Sequence, residues 1–264
     1  MVTVTSKDGT RIAYDRTGAG PPVILVNGAL VYRAHWGHGP LAAQLADHFT
    51  VYTYDRRGRG ESSDTLPYAV EREIEDLEAL IDEAGGPAFV YGDSSGAALV
   101  LEAAIRLGDK IRKLAMYEAP YNSDDTARQA WKAYTQQLGE LLAADRRGDA
   151  VALFMRLTGA SADDVDGARR TPEWPIFEAV APTLAYDHTA ILGEDASVPT
   201  ERAARVAVPA LIMDGGASYP FMHVTATALA KAIPNAQHRT LAGQTHEVAV
   251  EAMAPVLVEF FNEA

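Results

Sequence analysis

Apolar runs rich in valine, isoleucine and leucine recur along this chain, and segments of helical periodicity separate them. The runs at 23–27 and 208–214 are almost entirely apolar, which is typical of strands buried on both faces of a parallel sheet. From Val70 onward, apolar residues instead return every three or four positions, which predicts a helix that ends near Gly85. Strands that alternate with helices form βαβ units, so we predict an α/β fold in which helices flank a mostly parallel sheet.

The remaining predicted elements follow the same two patterns. Strands are predicted at 2–6, 11–15, 49–55, 88–91, 111–118 and 237–241. Helices are predicted from Ser95 onward, at 221–233 and at 248–261.

The segment 121–205 interrupts this alternation because it contains helix-like stretches and no convincing strand pattern. It is too long for a plain loop between two strands. We therefore predict a helical cap at 121–205, inserted between the two parts of a core formed by 1–120 and 206–264. The alternative is a helical layer that has no role in binding a ligand.

Composition excludes several classes of function. The chain has 36 acidic and 23 basic side chains, a formal net charge of −13 and no basic tract, which makes nucleic acid an unsuitable partner. It has no cysteine, so disulfides, a thiol nucleophile and cysteine-ligated zinc or iron–sulfur clusters are excluded. No apolar stretch approaches the ~20 residues of a membrane span, and the first residues lack a signal-peptide core. We expect a cytoplasmic protein without a membrane partner and leave its oligomeric state open.

The sequence Gly92-Asp93-Ser94-Ser95-Gly96 fits the pattern Gly-x-Ser-x-Gly. It lies between a predicted strand and a predicted helix, which is the setting of a nucleophile elbow, a sharp turn that exposes its serine. The tight backbone of such a turn requires small flanking residues, and the two glycines supply them. The helix N-terminus also directs free N–H groups toward the site. Ser94 is therefore predicted as a nucleophile, and the alternative is an ordinary glycine turn between a strand and a helix.

A serine hydroxyl needs a general base, usually a histidine, and a group that orients this base. Of the seven histidines, His246 lies in the loop between the last predicted strand and the last predicted helix, at the same sheet edge as the elbow. We predict His246 as the base and keep His223, near the start of the preceding helix, as the alternative. His35 and His38 follow the first buried strand and either line the pocket or lie on the surface.

Four features together resemble the α/β-hydrolase fold family. They are the turn Asn27-Gly28-Ala29 after a strand, the sequence Asp-Arg-Arg-Gly-Arg-Gly at 55–60, the elbow and the late loop histidine. The resemblance covers the chain apart from the cap, and it implies a serine hydrolase with the chain order serine, acid, histidine and with no cofactor or metal. It also implies an oxyanion hole formed by the backbone N–H groups of Ala29 and Ser95.

The acid departs from the usual pattern of this family. Ser218 occupies the position where most members carry the acid, and a neutral hydroxyl cannot stabilise an imidazolium as a carboxylate can. A minority of the family carries its acid at the end of the strand after the nucleophile helix, and Glu118 matches that position. We favour Glu118 and keep Asp214, which ends the later strand, as the alternative. Each carboxylate also has a purely structural alternative. Glu118 would bond to a helix N-terminus in the cap, and Asp214 would end its strand in a turn.

The sequence defines the substrate pocket less well. Asn27 and Gly28 in the turn, together with Trp131, Trp174 and Phe177 in the cap, are predicted to line a partly apolar pocket. The alternative is that these aromatic side chains only pack the cap onto the sheet.

Three arginines, Arg56, Arg57 and Arg59, follow a predicted strand near the edge of the site. They either attract an anionic substrate or pair with nearby carboxylates, and we favour the pairing.

These patterns predict a hydrolase that cleaves a carboxylic ester, lactone or similar acyl compound through an acyl-enzyme on Ser94. A C–C bond hydrolase or a perhydrolase would use the same triad. A third possibility is a ligand-binding protein that has the same fold but no catalytic turnover.

Overall fold

Eight strands form one sheet in the computed structural model, which describes residues 2–263. The strands are β1 (Val2–Thr5), β2 (Arg11–Thr17), β3 (Pro22–Val26), β4 (Thr50–Tyr54), β5 (Ala88–Asp93), β6 (Ile111–Tyr117), β7 (Ala210–Gly215) and β8 (Ala236–Leu241). Their order across the sheet is β1-β2-β4-β3-β5-β6-β7-β8. β2 runs antiparallel to its neighbours β1 and β4, and every other neighbouring pair is parallel. The predicted α/β fold with a mostly parallel sheet is confirmed.

Ten α-helices accompany the sheet in the described part of the chain. They are α1 (Gly39–Leu45), α2 (Val70–Glu83), α3 (Ser95–Leu107), α4 (Asp125–Ala143), α5 (Arg147–Leu157), α6 (Ala162–Ala168), α7 (Trp174–Val180), α8 (Thr200–Ala203), α9 (Pro220–Ala232) and α10 (Val250–Asn262). Ala185–Ile191 forms a π-helical segment, and Gly108–Lys110 and Ala181–Thr183 are short 3₁₀ helices. No helix within residues 2–263 is both long enough and apolar enough to cross a membrane.

The two faces of the sheet bury two separate apolar clusters. Along β3, Ile24 and Val26 point into one cluster, whereas Val23 and Leu25 point into the other. This alternation follows from the pleat of a strand. Because both faces of β3 are buried, β3 has no polar positions. The first cluster includes α2, α3, α9 and the helices between β6 and β7, and the second includes α1 and α10.

The helices α4 to α8 and the π-helical segment lie between β6 and β7 in the chain. The carboxylate of Asp124 caps α4 by accepting hydrogen bonds from the N–H groups of Thr126 and Ala127, both at 3.0 Å. α4 packs against α5 and against the π-helical segment, which in turn packs against α3 of the sheet layer. The segment 121–205 is therefore helical, as its sequence predicts. Its π-helical part packs against α3, the helix that follows the elbow.

Several element ends differ from the prediction. β2 extends beyond residue 15 because Arg16 and Thr17 still pair with β4, and β5 extends to Asp93, which pairs with Tyr117. Arg16 and Thr17 are exposed, so they lengthen the ladder without adding to the apolar pattern. α10 begins at Val250 rather than at 248, and the periodicity does not predict the short helix α1.

The carboxyl ends of the parallel strands meet at one edge of the sheet. Asn27 follows β3, Ser94 follows β5, Glu118 follows β6, and Gly215 ends β7. Binding sites of open α/β sheets lie at this edge. The fold thus brings the main predicted site residues to one region, although they are far apart in the chain.

Candidate active site

Ser94 occupies the sharp turn between β5 and α3, with φ of 52° and ψ of −128°. A non-glycine residue in this region is strained, so the surrounding packing must hold it in place. The packing around the turn is tight: a Cβ atom on Gly92 would lie 2.5 Å from the carbonyl oxygen of Gly96, and one on Gly96 would lie 2.4 Å from that of Val26. Only glycine fits at both positions, as the elbow pattern requires.

The turn after β3 lies directly against the serine. A Cβ atom on Gly28 would be 3.0 Å from Cβ of Ser94 and 3.5 Å from its Oγ. Gly28 therefore allows the backbone of the turn to approach the hydroxyl closely. Ser95 is the first residue of α3, so its N–H has no acceptor within the helix. The turn after β3 and the first N–H of α3 thus both lie beside the serine.

Glu118 and His246 form a hydrogen-bonded pair at the same edge. Nδ1 of His246 donates to Oε2 of Glu118 at 2.7 Å, and the carboxylate is fully buried. Two further donors hold this carboxylate: the Ser218 hydroxyl binds Oε2 at 2.9 Å, and the Gly215 N–H binds Oε1 at 2.8 Å. Because Nδ1 carries a proton in this arrangement, Nε2 of the imidazole is left free to accept one.

The loop that carries His246 is fixed to the end of β7. The Ala217 N–H donates to the carbonyl oxygen of Gln244 at 2.8 Å, and the Tyr117 hydroxyl donates to that of Thr245. A Cβ atom on Gly215 would lie only 2.4 Å from the Gln244 carbonyl oxygen, so the loop packs directly on the strand. These contacts set the position of the imidazole relative to Glu118.

Asp214 forms hydrogen bonds with two histidines other than His246. Its buried carboxylate accepts from Nε2 of His238 at 2.6 Å and from Thr240 Oγ1 at 3.1 Å through Oδ1, and from Nδ1 of His223 at 3.0 Å through Oδ2. The structure therefore brings Glu118, and not the alternative Asp214, to His246. The alternative base His223 likewise bonds to Asp214.

A buried ion-pair network supports the turn that contains Asn27 and Gly28. Nη1 of Arg59 donates to the Gly28 carbonyl at 2.6 Å, and Nη1 of Arg56 donates to the Asn27 carbonyl at 3.2 Å. Both guanidinium groups also bind Asp187, at 2.6 and 2.7 Å. Burial alone would raise the pKa of Asp187, but the two guanidinium groups hold it below its ordinary value. Asp187 is therefore a buried anion that anchors both arginines on the turn.

The arginines of the 55–60 loop are all buried and paired with carboxylates. Arg56 also binds Glu73, and Arg57 binds Asp76 and Asp8. This pairing is the role predicted for them from the sequence, rather than contact with an anionic substrate.

Comparison with known proteins identifies the family. The sequence model of the alpha/beta hydrolase family matches residues 23–259. The chain belongs to the α/β hydrolase family.

Two solved structures and one curated protein illustrate its relatives. The crystal structure of an α/β hydrolase from Sphaerobacter thermophilus is 54% identical, with a TM-score of 0.88 over 99% of this chain and 100% of that one. An enol-lactonase from Burkholderia xenovorans is 23% identical, with a TM-score of 0.69 over 99% of this chain and 100% of that one, which shows a shared fold. The uncharacterized hydrolase YraK of Bacillus subtilis is 34% identical over 114 residues, which is 42% of this chain and 41% of that relative. That match spans less than half of either protein.

The aromatic residues predicted for the pocket of this α/β hydrolase have different surroundings. Trp131 is buried against His188, and its Nε1 donates to the Gly193 carbonyl at 3.0 Å. Trp174 is buried at the start of α7. Phe177 instead stacks on Trp36, with ring centroids 4.9 Å apart. The contacts of the two tryptophans fit the packing alternative, whereas Phe177 connects the helical segment to the loop after β3.

Three further polar residues of this hydrolase emerge only from the structure. Asp187 has no sequence signal, because its arginine partners are 128 and 131 positions away. Ser218 is predicted only as the missing acid, yet its hydroxyl binds the carboxylate of Glu118. His188 is buried, and its Nδ1 forms a hydrogen bond with the Tyr134 hydroxyl at 2.7 Å. Burial lowers the pKa of His188 to about 4, so this histidine is neutral at pH 7.

Proposed function

We propose that this protein is a serine hydrolase that cleaves a carboxylic ester, lactone or similar acyl compound through an acyl-enzyme on Ser94. The observation that carries the proposal is the 2.7 Å hydrogen bond between His246 and the buried carboxylate of Glu118, at the sheet edge that bears the serine elbow. A histidine oriented by an anion, at the sheet edge that carries a strained serine turn, fits the arrangement that nucleophilic acyl transfer needs.

The proposed reaction begins when Oγ of Ser94 attacks the substrate carbonyl and Nε2 of His246 takes its proton. Glu118 stabilises the resulting imidazolium and keeps the ring in the correct tautomer. The backbone N–H groups of Ala29 and Ser95 bind the oxygen that becomes negative, a contribution worth about 3–4 kcal/mol for a single donor in related chemistry. His246 then returns the proton to the leaving group. Finally it activates a water molecule that releases the acid.

The segment 121–205 serves in this proposal as a cap over a core formed by 1–120 and 206–264. Two contacts join it to the site region: the stack of Phe177 on Trp36, and the ion pairs of Asp187 with the arginines that bind the Asn27–Gly28 turn. A cap joined at these points would border the serine and give the pocket a partly apolar wall. The substrate is accordingly a small acyl compound with an apolar portion, for which Phe177 is the proposed aromatic contact, whereas Trp131 and Trp174 pack the cap.

A fluorophosphonate probe together with a series of p-nitrophenyl esters tests the proposal. We expect the wild type to be labelled on Ser94, located by peptide mass spectrometry, and to hydrolyse short-chain esters. Ser94→Ala should lose both the label and the turnover, whereas Ser123→Ala, at an exposed serine, should keep both. A folded wild-type protein that is neither labelled nor active would instead indicate a binding protein without turnover.

A further inference from the structure

Asp214, His223 and His238 converge at the end of β7, on a cluster that the proposed acyl transfer does not use. We propose that these three side chains bind a divalent transition-metal ion of the Zn²⁺ class. Their possible ligand atoms all lie within 4.8 Å of one another. Two imidazoles and one carboxylate, supplied by three protein side chains, are a donor set that such ions accept.

The distances suit a tetrahedral ion. Oδ1 of Asp214 lies 2.6 Å from Nε2 of His238, and Oδ2 lies 3.0 Å from Nδ1 of His223. Zinc binds nitrogen and oxygen ligands at about 2.0–2.1 Å, so its ligand atoms stand roughly 3.3 Å apart. An ion can therefore replace the hydrogen-bonding protons if the side chains separate by a few tenths of an ångström and one carboxylate oxygen of Asp214 turns toward both imidazole nitrogens.

The three residues lie on regular secondary structure: Asp214 on β7, His238 on β8 and His223 on α9. β7 and β8 pair in parallel with Asp214 opposite Thr240, and His238 lies two positions before Thr240 on the same face of β8. Thr240 Oγ1 donates to Oδ1 of Asp214 at 3.1 Å and lies 3.4 Å from Nδ1 of His223, so this hydroxyl holds the carboxylate from within the cluster. His223 is in the first turn of α9. The ligand positions are thus set by two strands and a helix rather than by a loop.

Burial and charge also favour a cation here. The Asp214 side chain is 1% exposed, whereas His238 is 25% and His223 is 59% exposed. A buried anion below two accessible imidazoles gives an ion a path of entry and leaves its fourth position open to water. The formal net charge of −13 adds a general attraction for cations. Mg²⁺ and Ca²⁺ prefer oxygen ligands, so the two imidazoles select against them.

The site is separate from the proposed catalytic residues but shares a strand end with them. Gly215 directly follows Asp214, and its N–H donates to Glu118. Metal binding is nevertheless a property of the three ligands alone. It can be measured whether or not Ser94 acts as a nucleophile.

Isothermal titration calorimetry of the full, untagged chain, stripped of metals with a chelator, tests the site. We expect one equivalent of Zn²⁺ to bind with a dissociation constant in the micromolar range or tighter, and Mg²⁺ to give no binding heat. His223→Ala and His238→Ala should each lower the Zn²⁺ association constant by at least about tenfold. His48→Ala, at an exposed histidine on another part of the surface, should leave it unchanged. Co²⁺ should give a visible absorption band that is lost in the same two variants.

The decisive variant is His223→Ala, because its side chain is mostly exposed and its loss leaves the fold intact. Circular dichroism and the metal-free melting temperature check this. Zn²⁺ binding of the same stoichiometry and affinity in His223→Ala and in the wild type would overturn the proposal. So would a wild type that binds no Zn²⁺.

Discussion

The Ser218 hydroxyl donates to the same oxygen of Glu118 that accepts from Nδ1 of His246, at 2.9 and 2.7 Å respectively. Ser218 stands where the resemblance to the family places the acid, so the side chain at that position and the imidazole of His246 converge on one oxygen of Glu118. The carboxylate that binds the imidazole thus comes from the residue after β6.

This convergence predicts that the acid can be moved. Glu118→Ala should lower kcat/KM for a p-nitrophenyl ester by roughly 10²–10⁴, since losing the carboxylate effect of a triad has about this cost. Adding Ser218→Asp to Glu118→Ala should recover at least about tenfold, because the new carboxylate would lie beside the same ring nitrogen. Steady-state kinetics measures both values, and circular dichroism checks folding. If Glu118→Ala alone kept activity near that of the wild type, Glu118 would have no part in the mechanism.

Arg59 is expected to position an oxyanion donor. Its hydrogen bond to the Gly28 carbonyl fixes the Gly28–Ala29 peptide plane, and the C=O and N–H of a trans peptide point in opposite directions. The bond therefore also fixes the direction of the Ala29 N–H. A lysine has a single nitrogen in place of the two that bind this carbonyl and Asp187, so it cannot reproduce both bonds at these positions. Arg59→Lys should lower kcat by roughly ten- to a hundredfold, less than the loss of a whole donor, with little change in KM.

Arg57→Lys is the matched control for that experiment. Arg57 is equally buried and paired with carboxylates, but it bonds to Asp76, Asp8 and the Arg72 carbonyl rather than to the turn. Equal losses of kcat in the two variants would mean that Arg59 only stabilises the fold.

The same network should contribute strongly to stability. Asp187→Asn leaves Arg56 and Arg59 in the interior without their shared anion, and breaking a buried ion pair in this way costs about 3–5 kcal/mol. Glu194→Gln removes an exposed pair with Lys132 and should cost less than about 1 kcal/mol. Urea denaturation measures both. A loss of less than about 1 kcal/mol in Asp187→Asn would contradict the role of the network.

The fold and the serine elbow could be predicted from the sequence because both depend on local patterns. The almost entirely apolar run at 23–27 identifies a strand buried on both faces, and the glycines around Ser94 identify a turn with no room for side chains. Each of these patterns lies within a few neighbouring residues. Glu118 differs, because it follows β6, far from the elbow in the chain, and its prediction as the acid depends on the resemblance to the family.

The contacts that support the candidate site could not be predicted from the sequence, because they join residues that are far apart in the chain. Asp187 meets Arg59 across 128 positions, and nothing in either local sequence specifies that pair. The packing of Trp131 around His188 likewise depends on how α4 meets the π-helical segment. Periodicity predicts that an aromatic face is buried, but it does not predict what the face is buried against.

The close approach of the β3 turn to the serine predicts a specific effect of one methyl group. Gly28→Ala would put a Cβ atom 3.0 Å from Cβ of Ser94, so it should lower kcat/KM by roughly tenfold or more through displacement of the hydroxyl or the turn. Gly139→Ala, in α4 with nothing within 4 Å of the new Cβ, should keep activity and raise stability by up to about 1 kcal/mol. Kinetics and thermal melts of both variants separate the two effects. Full activity in Gly28→Ala would contradict the close approach.

His188 predicts a pH dependence of stability. Burial lowers its pKa from 6.5 to about 4, although neighbouring Asp187 acts in the opposite direction, and Arg59 and Arg56 reinforce the decrease. The unfolded chain therefore binds a proton below pH 6.5 that the folded chain does not bind until about pH 4, so stability falls as the pH is lowered through this window. At pH 5 the loss from this one group should be about 2 kcal/mol relative to pH 7.5. Urea denaturation at the two pH values measures it, and His188→Gln should reduce the difference by that amount, whereas His48→Gln should not. An unchanged pH dependence in His188→Gln would mean that His188 already binds a proton in the folded protein.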